Sequence, residues 1–129
     1  MSKKILVVDD EPDIVKTVAI ALELNGYHVR ASNSGSEALG IIRDYSPDLV
    51  IIDMVLPGLS GKDVARWIKT SEAHKHIPVI LITALAQKKE EEALKEKEID
   101  YYLIKPFDLD LLEAKVKEFL GGVLPENNP

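Results

Sequence analysis

The sequence predicts an α/β domain built on a doubly wound, five-stranded parallel sheet with five helices on its two faces. Short strand-like segments alternate with helical ones along nearly the whole chain, and the connections between them are short. Such alternation requires parallel strands joined by helical crossovers. Because these crossovers are right-handed, few topologies remain, and the strand order 2-1-3-4-5 is the leading one.

Four of the strands are continuous apolar runs, which is typical of strands buried on both faces. Together with the weaker segment His28–Ala31, they give five predicted strands in chain order: Ile5–Val8, His28–Ala31, Leu49–Ile52, Val79–Ile82 and Tyr101–Ile104. A polar residue follows each of the apolar runs directly. These residues are Asp9, Asp53, Thr83 and Lys105.

The helices are recognised by apolar residues at helical spacing and by the residues that begin or end a helix. Suitable first residues or caps precede four of the five: Pro12, Ser34 with Glu37 at capping-box spacing, Ser60, and Asp108. The fourth helix, over 87–98, is nearly all charged. Gly121 ends the last helix, so we expect the domain over residues 1–121 and a flexible tail or truncated linker over 122–129.

Composition and charge exclude several classes of function. A chain of 129 residues with 46% apolar residues is large enough for one domain with a real core. The net charge of −6 argues against direct nucleic-acid binding, because phosphate contacts need a basic face. No apolar stretch approaches the roughly 20 residues of a membrane span. The absence of cysteine excludes thiol chemistry and disulfides, and suits the cytoplasmic location that we expect.

The third strand ends at Asp53, and Pro57-Gly58 turns the chain a few residues later. Asp53 is therefore expected at the carboxyl end of a strand, where open α/β sheets place their ligand sites. A carboxylate there is a nucleophile, a metal ligand or simply a polar residue that ends the strand. Position alone does not distinguish these three roles.

Other polar residues are predicted to meet Asp53 at one rim, the edge of the sheet formed by the carboxyl ends of the strands. The first and third strands are neighbours in the order 2-1-3-4-5, which brings Asp9 and Asp10 to Asp53. Carboxylates in one crevice repel each other unless a cation joins them, and oxygen ligands favour a hard ion such as Mg²⁺. Thr83 and Lys105 end the fourth and fifth strands at the same rim. This set suits phosphoryl transfer, which needs a nucleophile in line and positive charge on the equatorial oxygens.

Each of these residues also has a purely structural interpretation. Asp10 can cap a helix, Thr83 can be an ordinary β-branched strand residue, Lys105 an exposed lysine, and Tyr102 a core aromatic residue. Taken together, however, these interpretations require four coincidences at one rim. The segment His74-Lys75-His76 has two histidines at chelating distance, but it lies in a predicted loop and is interpreted as solvated.

The sequence resembles the receiver domains of response regulators, the phosphoacceptor modules of two-component signalling. The matching residues stand at four strand ends: Val8-Asp9-Asp10-Glu11, Asp53 within DMVLPG, Thr83-Ala84, and Lys105-Pro106-Phe107. The resemblance covers about Lys3 to Gly121. It implies the flavodoxin-like fold of chemotaxis-type receivers.

The resemblance also implies a metal site and an acceptor. Asp53 matches the aspartate that takes a phosphoryl group from the phosphohistidine of a sensor kinase. Asp10, Asp53 and the backbone carbonyl of Val55 match the direct ligands of Mg²⁺, and Asp9 is expected to bind the ion through water.

Three further roles follow from the same resemblance. Lys105 is expected to pair with the Asp53 carboxylate and later with the phosphoryl oxygens. Thr83 is expected to turn its hydroxyl to the phosphoryl group, and Tyr102 matches the switch aromatic of the family. The Lys105-Pro106 bond stands where the family has a cis peptide bond.

As a member of this family, the protein would be mainly a signalling switch, and an enzyme only in its own phosphorylation and slow dephosphorylation. Its expected partners are a sensor histidine kinase or a phosphotransfer protein, and a downstream output domain or protein. A homodimer through the face of the fourth helix, fifth strand and fifth helix is a further candidate partner arrangement.

Two other classes of function fit parts of the pattern. An aspartyl-phosphate phosphatase of the haloacid-dehalogenase type needs a second aspartate two residues after the nucleophile, and this chain has Val55 there. A nucleotide- or flavin-binding module needs a phosphate-binding turn after the first strand. The turn here, Asp9–Pro12, is acidic rather than glycine-rich and would repel a phosphate.

Overall fold

A five-stranded parallel sheet with helices on both faces forms the framework of the chain. The computed structural model describes residues 2–84 and 99–121. In chain order the elements are β1 (Lys4–Val8), α1 (Pro12–Leu24), β2 (His28–Ser32), α2 (Gly35–Tyr45), β3 (Leu49–Asp53), α3 (Gly61–Thr70), β4 (Val79–Thr83), β5 (Tyr101–Ile104) and α4 (Leu109–Leu120). The sheet order is β2-β1-β3-β4-β5, which confirms the predicted topology.

Four helices are seen within the described residues, against five predicted for the whole chain. The remaining predicted helix, over 87–98, and the predicted tail, over 122–129, lie outside the described residues. Among the helices of residues 2–84 and 99–121, none combines the length and the apolar character that crossing a membrane requires.

The strands extend slightly further than the apolar runs predict. Ser32, Asp53 and Thr83 are the last residues of β2, β3 and β4, one residue beyond each predicted end. Asp53 pairs with Ile82 and Thr83 pairs with Ile104, because the backbone of a polar residue joins the sheet ladder as well as that of an apolar one. The polar side chains therefore start from rigid strand ends rather than from loops.

Both faces of the sheet are buried, which explains why β1, β3 and β4 read as continuous apolar runs. Side chains alternate along each strand, so that one half of every run packs under α2 and α3 and the other half under α1 and α4. The first core includes Leu6, Val8, Val50, Ile52, Leu81, Ile42 and Val64. The second core includes Ile5, Val7, Ile51, Ile80, Ile82, Leu22 and Val116.

The helix caps differ in part from the sequence pattern. The capping box predicted at Ser34 and Glu37 is only half formed: the Glu37 N–H donates to Ser34 Oγ at 3.2 Å. The Glu37 carboxylate instead accepts a hydrogen bond of 2.6 Å from Ser32 Oγ, because β2 ends beside it. A complete capping box occurs at the start of α3, where Ser60 and Asp63 bond reciprocally, each at 3.1 Å.

His74 is buried, so its interpretation as a solvated loop residue is wrong. Its ring stacks on Trp67 with 5.4 Å between the ring centroids, and its Nδ1 is 2.9 Å from Ser71 Oγ. His76 is exposed, as predicted. His74 therefore packs against the C-terminal part of α3 and has a structural role.

The end of β3 is held against the start of α3 by a close backbone approach at Gly61. The Gly61 N–H donates to the carbonyl of Met54 at 2.9 Å. A Cβ at this position would overlap the carbonyl oxygen of Asp53 and would lie 2.9 Å from its carbonyl carbon. Gly61 thus keeps the loop over residues 54–60 next to the Asp53 side chain.

Replacing Gly61 should therefore weaken the fold. We expect Gly61→Ala to lower the free energy of unfolding by about 1–3 kcal/mol, because the added methyl must displace backbone. The matched control is Gly40→Ala in α2, where the nearest atom to an added Cβ is 3.8 Å away. That change should stabilise by about 0.5–1 kcal/mol through helix propensity. Urea unfolding measures both values, and equal effects of the two substitutions would contradict the close approach.

Candidate functional site

Asp53 is buried at the carboxyl end of β3, and its two carboxylate oxygens have different partners. Oδ1 accepts the backbone N–H of Val55 at 3.0 Å. Oδ2 accepts a hydrogen bond of 2.7 Å from the Lys105 ammonium. The carboxylate is therefore oriented from two sides, by the loop that follows β3 and by the residue that follows β5.

Asp9 and Asp10 lie beside Asp53 because β1 pairs with β3 up to the Val8–Ile52 register. One carboxylate oxygen from each aspartate lies within 4.8 Å of the other two. Asp10 is exposed, whereas Asp9 is buried and its Oδ1 accepts the Glu11 N–H at 2.9 Å. The strand order thus brings together the three carboxylates that the sequence pattern pointed to.

The second carboxylate oxygen of Asp9, Oδ2, lacks an aligned hydrogen-bond donor among the described residues. Asp9 Oδ2 is buried, and among the described residues it has no hydrogen-bond partner. The Lys105 ammonium is 3.2 Å away but is not aligned for a hydrogen bond. Burial raises the pKa of Asp9 above its ordinary value, and the Asp53 carboxylate raises it further, whereas the Glu11 N–H and the Lys105 ammonium lower it in part. A bound cation or its water would satisfy a buried oxygen that lacks a hydrogen bond and lies beside two other carboxylates, so the donor set fits Mg²⁺.

Lys105 connects the acidic groups at the rim. Its Nζ lies 2.7 Å from Asp53 Oδ2, 2.7 Å from Glu11 Oε1 and 3.2 Å from Asp9 Oδ2. Burial alone would lower the pKa of Lys105, but the hydrogen bonds to Asp53 and Glu11, together with the nearby Asp9 carboxylate, outweigh it and raise the pKa. The side chain is therefore a permanent ammonium at neutral pH. The Lys105-Pro106 peptide bond is cis, as the resemblance implies.

Thr83 and Tyr102 lie on the same face of the sheet. Thr83 is fully buried at the end of β4, and its carbonyl accepts the Lys105 N–H at 2.7 Å. Tyr102 pairs in register with Leu81, two residues before Thr83, and packs against the core under α2 and α3. Because side chains alternate along a strand, the Thr83 and Tyr102 side chains start from the same side of adjacent strands.

Val55 and Glu11 complete the surroundings of Asp53. The side chain of Val55 is exposed and its N–H is bonded to Asp53; its carbonyl as a metal ligand stays a prediction. In the sequence, Glu11 belongs to the acidic turn and to the family match Val8–Glu11, but neither pattern predicts its contact with Lys105. A signal was available, since glutamate is not a favoured N-cap residue. Here Glu11 stands at the N-cap of α1 without making a capping hydrogen bond.

The site is open to solvent on two sides. A groove of about 530 Å³ between α1 and the start of α4 is lined by Glu11, Lys105 and Phe107 among others. A second groove of about 400 Å³ reaches Asp9 and Asp10 from the side of β2 and α2. Solvent therefore reaches Asp9, Asp10, Glu11 and Lys105 through the two grooves.

Comparisons with family models, with known sequences and with solved structures all point to the same protein family. A model of the response regulator receiver domain matches residues 5–117. The polar-differentiation response regulator DivK of Brucella ovis is 36% identical over 121 residues, which are 94% of this chain and 98% of DivK. The receiver domain of a signal transduction histidine kinase from Syntrophus aciditrophicus is 30% identical, with a TM-score of 0.88 and coverage of 99% of this chain and 97% of that one.

A receiver domain of a sensor histidine kinase from Pseudomonas aeruginosa is 28% identical, with a TM-score of 0.84 and coverage of 94% of this chain and 99% of that one. That protein holds a magnesium ion in its active-site cleft. The family match over residues 5–117 includes all four strand ends that carry the acidic groups, the hydroxyl and the ammonium. The chain therefore belongs to the response regulator receiver domains, the phosphoacceptor switches of two-component signalling.

Proposed function

We propose that Asp53 is the residue that accepts the phosphoryl group, and that Lys105 and Thr83 assist the transfer. The observation that carries this proposal is the 2.7 Å hydrogen bond from the Lys105 ammonium to the buried Asp53 carboxylate within the acidic cluster. The donor is the phosphohistidine of a sensor kinase or of a phosphotransfer protein. Family membership supports the reaction class, and the rim geometry supports the assignment of residues.

In the proposed transfer, an oxygen of Asp53 attacks the phosphorus atom while the bond from phosphorus to the histidine nitrogen breaks. The imidazole leaves and takes a proton from solvent. Val55 N–H and the Lys105 ammonium already hold the carboxylate from two sides, so little reorientation is required before attack. Lys105 then neutralises charge on the phosphoryl oxygens, and Thr83 offers its hydroxyl to them.

Asp10, Asp53 and the carbonyl of Val55 are the proposed direct ligands of Mg²⁺, with Asp9 binding through water. When bound, the ion supplies positive charge to the phosphoryl oxygens. The lack of a hydrogen bond to Asp9 Oδ2 among the described residues and the mutual proximity of the three aspartates support this assignment. Receiver domains in general bind Mg²⁺ at such an acidic site.

The switch that follows phosphorylation is proposed to run through Thr83 and Tyr102. A shift of Thr83 toward the phosphoryl group would change the packing of Tyr102, since both side chains start from the same face of β4 and β5. The response then passes to an output domain or protein. A homodimer through this side of the molecule also depends on the predicted helix over 87–98, outside the described residues. The cytoplasmic location stays a prediction.

The two alternative functions gain no support from the residues at the rim. A haloacid-dehalogenase-type phosphatase needs a general acid two residues after the nucleophile, and the aliphatic side chain of Val55 has no proton to donate. A nucleotide- or flavin-binding module needs backbone N–H groups aimed at a phosphate. Here the corresponding turn carries the carboxylates of Asp9 and Asp10, two of the three in the acidic cluster.

The acceptor assignment is tested by phosphorylation with acetyl phosphate in Mg²⁺ buffer, followed by mass analysis. The wild type should gain the mass of one phosphoryl group, and Asp53→Asn should gain none, because the amide is not a nucleophile of comparable strength. Asp44→Asn, a change of the same kind at an exposed site on α2, should behave like the wild type. Full labelling of Asp53→Asn would place the acceptor elsewhere.

The metal site is tested by thermal unfolding with and without Mg²⁺. At a Mg²⁺ concentration of ten times Kd, binding to the folded state alone adds about 1.4 kcal/mol, which raises Tm by roughly 3–6 °C. Asp10→Ala should abolish this rise, and it should not destabilise the metal-free protein, because it relieves repulsion among the carboxylates. Asp13→Ala, an exposed position on α1, is the control. An unchanged rise in Asp10→Ala would exclude Asp10 as a ligand.

A further inference from the structure

We infer that Glu11 is a positioning residue that restrains Lys105 in the resting protein and must release it when a phosphoryl group arrives. The inference rests on the proposed roles of Asp53 and Lys105. In this view the carboxylate of Glu11 occupies the side of the ammonium that faces solvent. It therefore competes with the phosphoryl oxygens for the same N–H donor.

The geometry around Lys105 leaves little free capacity for another acceptor. A lysine ammonium has three N–H donors. Two are used in hydrogen bonds of 2.7 Å to Asp53 and Glu11, and Asp9 Oδ2 is the third carboxylate oxygen nearby, at 3.2 Å. A phosphoryl group bound at Asp53 must therefore either use the poorly aligned third donor or displace one of the two partners.

Glu11 is the partner that can be displaced most easily. Its side chain is 57% exposed, whereas the side chains of Asp53 and Asp9 are 7% and 1% exposed. Asp53 is itself the acceptor, and Asp9 lies on the buried side of the ammonium. A phosphodonor reaches the rim from solvent, so the N–H in its way is the one that Glu11 holds.

The local structure gives Glu11 no other evident task. It is the N-cap residue of α1, but its carboxylate makes no capping hydrogen bond and reaches across to Lys105 instead, 94 residues away in sequence. It also lines the groove of about 530 Å³ beside α1, which gives the released side chain room to move into solvent. Exposed ion pairs of this kind are weak, so the restraint can be reversible.

The test compares the wild type with Glu11→Gln, Glu11→Asp and Asp13→Asn. Glutamine keeps the length of the side chain but is a weaker acceptor for an ammonium, and aspartate keeps the charge but is one methylene too short. Asp13→Asn removes the same charge two residues away, from a carboxylate outside the set that contacts Lys105. Two quantities are measured: the second-order rate constant of phosphorylation by acetyl phosphate, and the dissociation constant of beryllofluoride, a stable phosphoryl mimic, both at saturating Mg²⁺.

We expect Glu11→Gln and Glu11→Asp each to raise the rate constant and to tighten beryllofluoride binding by about two- to fivefold, the range set by the strength of an exposed ion pair. Asp13→Asn should leave both unchanged. A gain in Glu11→Gln that Asp13→Asn shares, or that Glu11→Asp lacks, would show a general effect of charge and overturn the competition. No change or slower transfer in both Glu11 variants would overturn it as well. Absence of labelling in the wild type would instead refute the proposed function.

Discussion

The hydrogen bond between the Lys105 ammonium and the Asp53 carboxylate is the interaction on which the functional rim depends. The sheet topology brings Asp9, Asp10 and Asp53 so close that one oxygen of each lies within 4.8 Å of the others. Two of these carboxylates are buried, which adds a cost of desolvation to their mutual repulsion. Lys105 supplies positive charge that offsets this cost, but among the described residues Asp9 Oδ2 still lacks a hydrogen bond. The rim is therefore incompletely neutralised, which is consistent with the cation and phosphoryl site that we propose there.

The apolar strands make this arrangement possible by fixing the polar residues at their ends. β3 and β4 are buried along their whole length, and their last residues, Asp53 and Thr83, still take part in the sheet ladder. Gly61 adds a second restraint, because only a residue without a Cβ lets α3 begin against the backbone of Asp53. Asp53, the proposed acceptor, thus stands on rigid structure, whereas Glu11, which we infer to be released, is exposed at the start of α1. This division between fixed and releasable groups is what a reversible switch requires.

Much of the fold and of the site could be predicted from the sequence because both follow from patterns with a simple physical cause. Continuous apolar runs located β3 and β4 to within one residue, and the strand order then placed Asp9 and Asp10 beside Asp53. Contacts that depend on side-chain conformation could not be predicted in this way. The partner of Glu11 is 94 residues away, and its long exposed side chain has several alternatives that no spacing rule distinguishes.

Local competition explains the other differences between the sequence pattern and the structure. The spacing of Ser34 and Glu37 satisfies the capping-box rule, but the Glu37 carboxylate accepts a hydrogen bond from the hydroxyl of Ser32 instead. The rule considers only the two capping residues and does not include this third one. The sequence predicts that His74 lies in a solvated loop, but in the structure its ring stacks on Trp67 and is buried. In each case a neighbour from another part of the structure provides a better contact than the local sequence alone indicates.

The most direct test of the central interaction is a double-mutant cycle of Asp53→Asn and Lys105→Met, measured by urea unfolding at pH 7 without metal and at low salt. If Lys105 offsets the charge of Asp53, Lys105→Met should destabilise the wild type by about 1–3 kcal/mol more than it destabilises Asp53→Asn. The same cost in both backgrounds, to within about 0.5 kcal/mol, would show that the two groups do not interact energetically and would contradict the account.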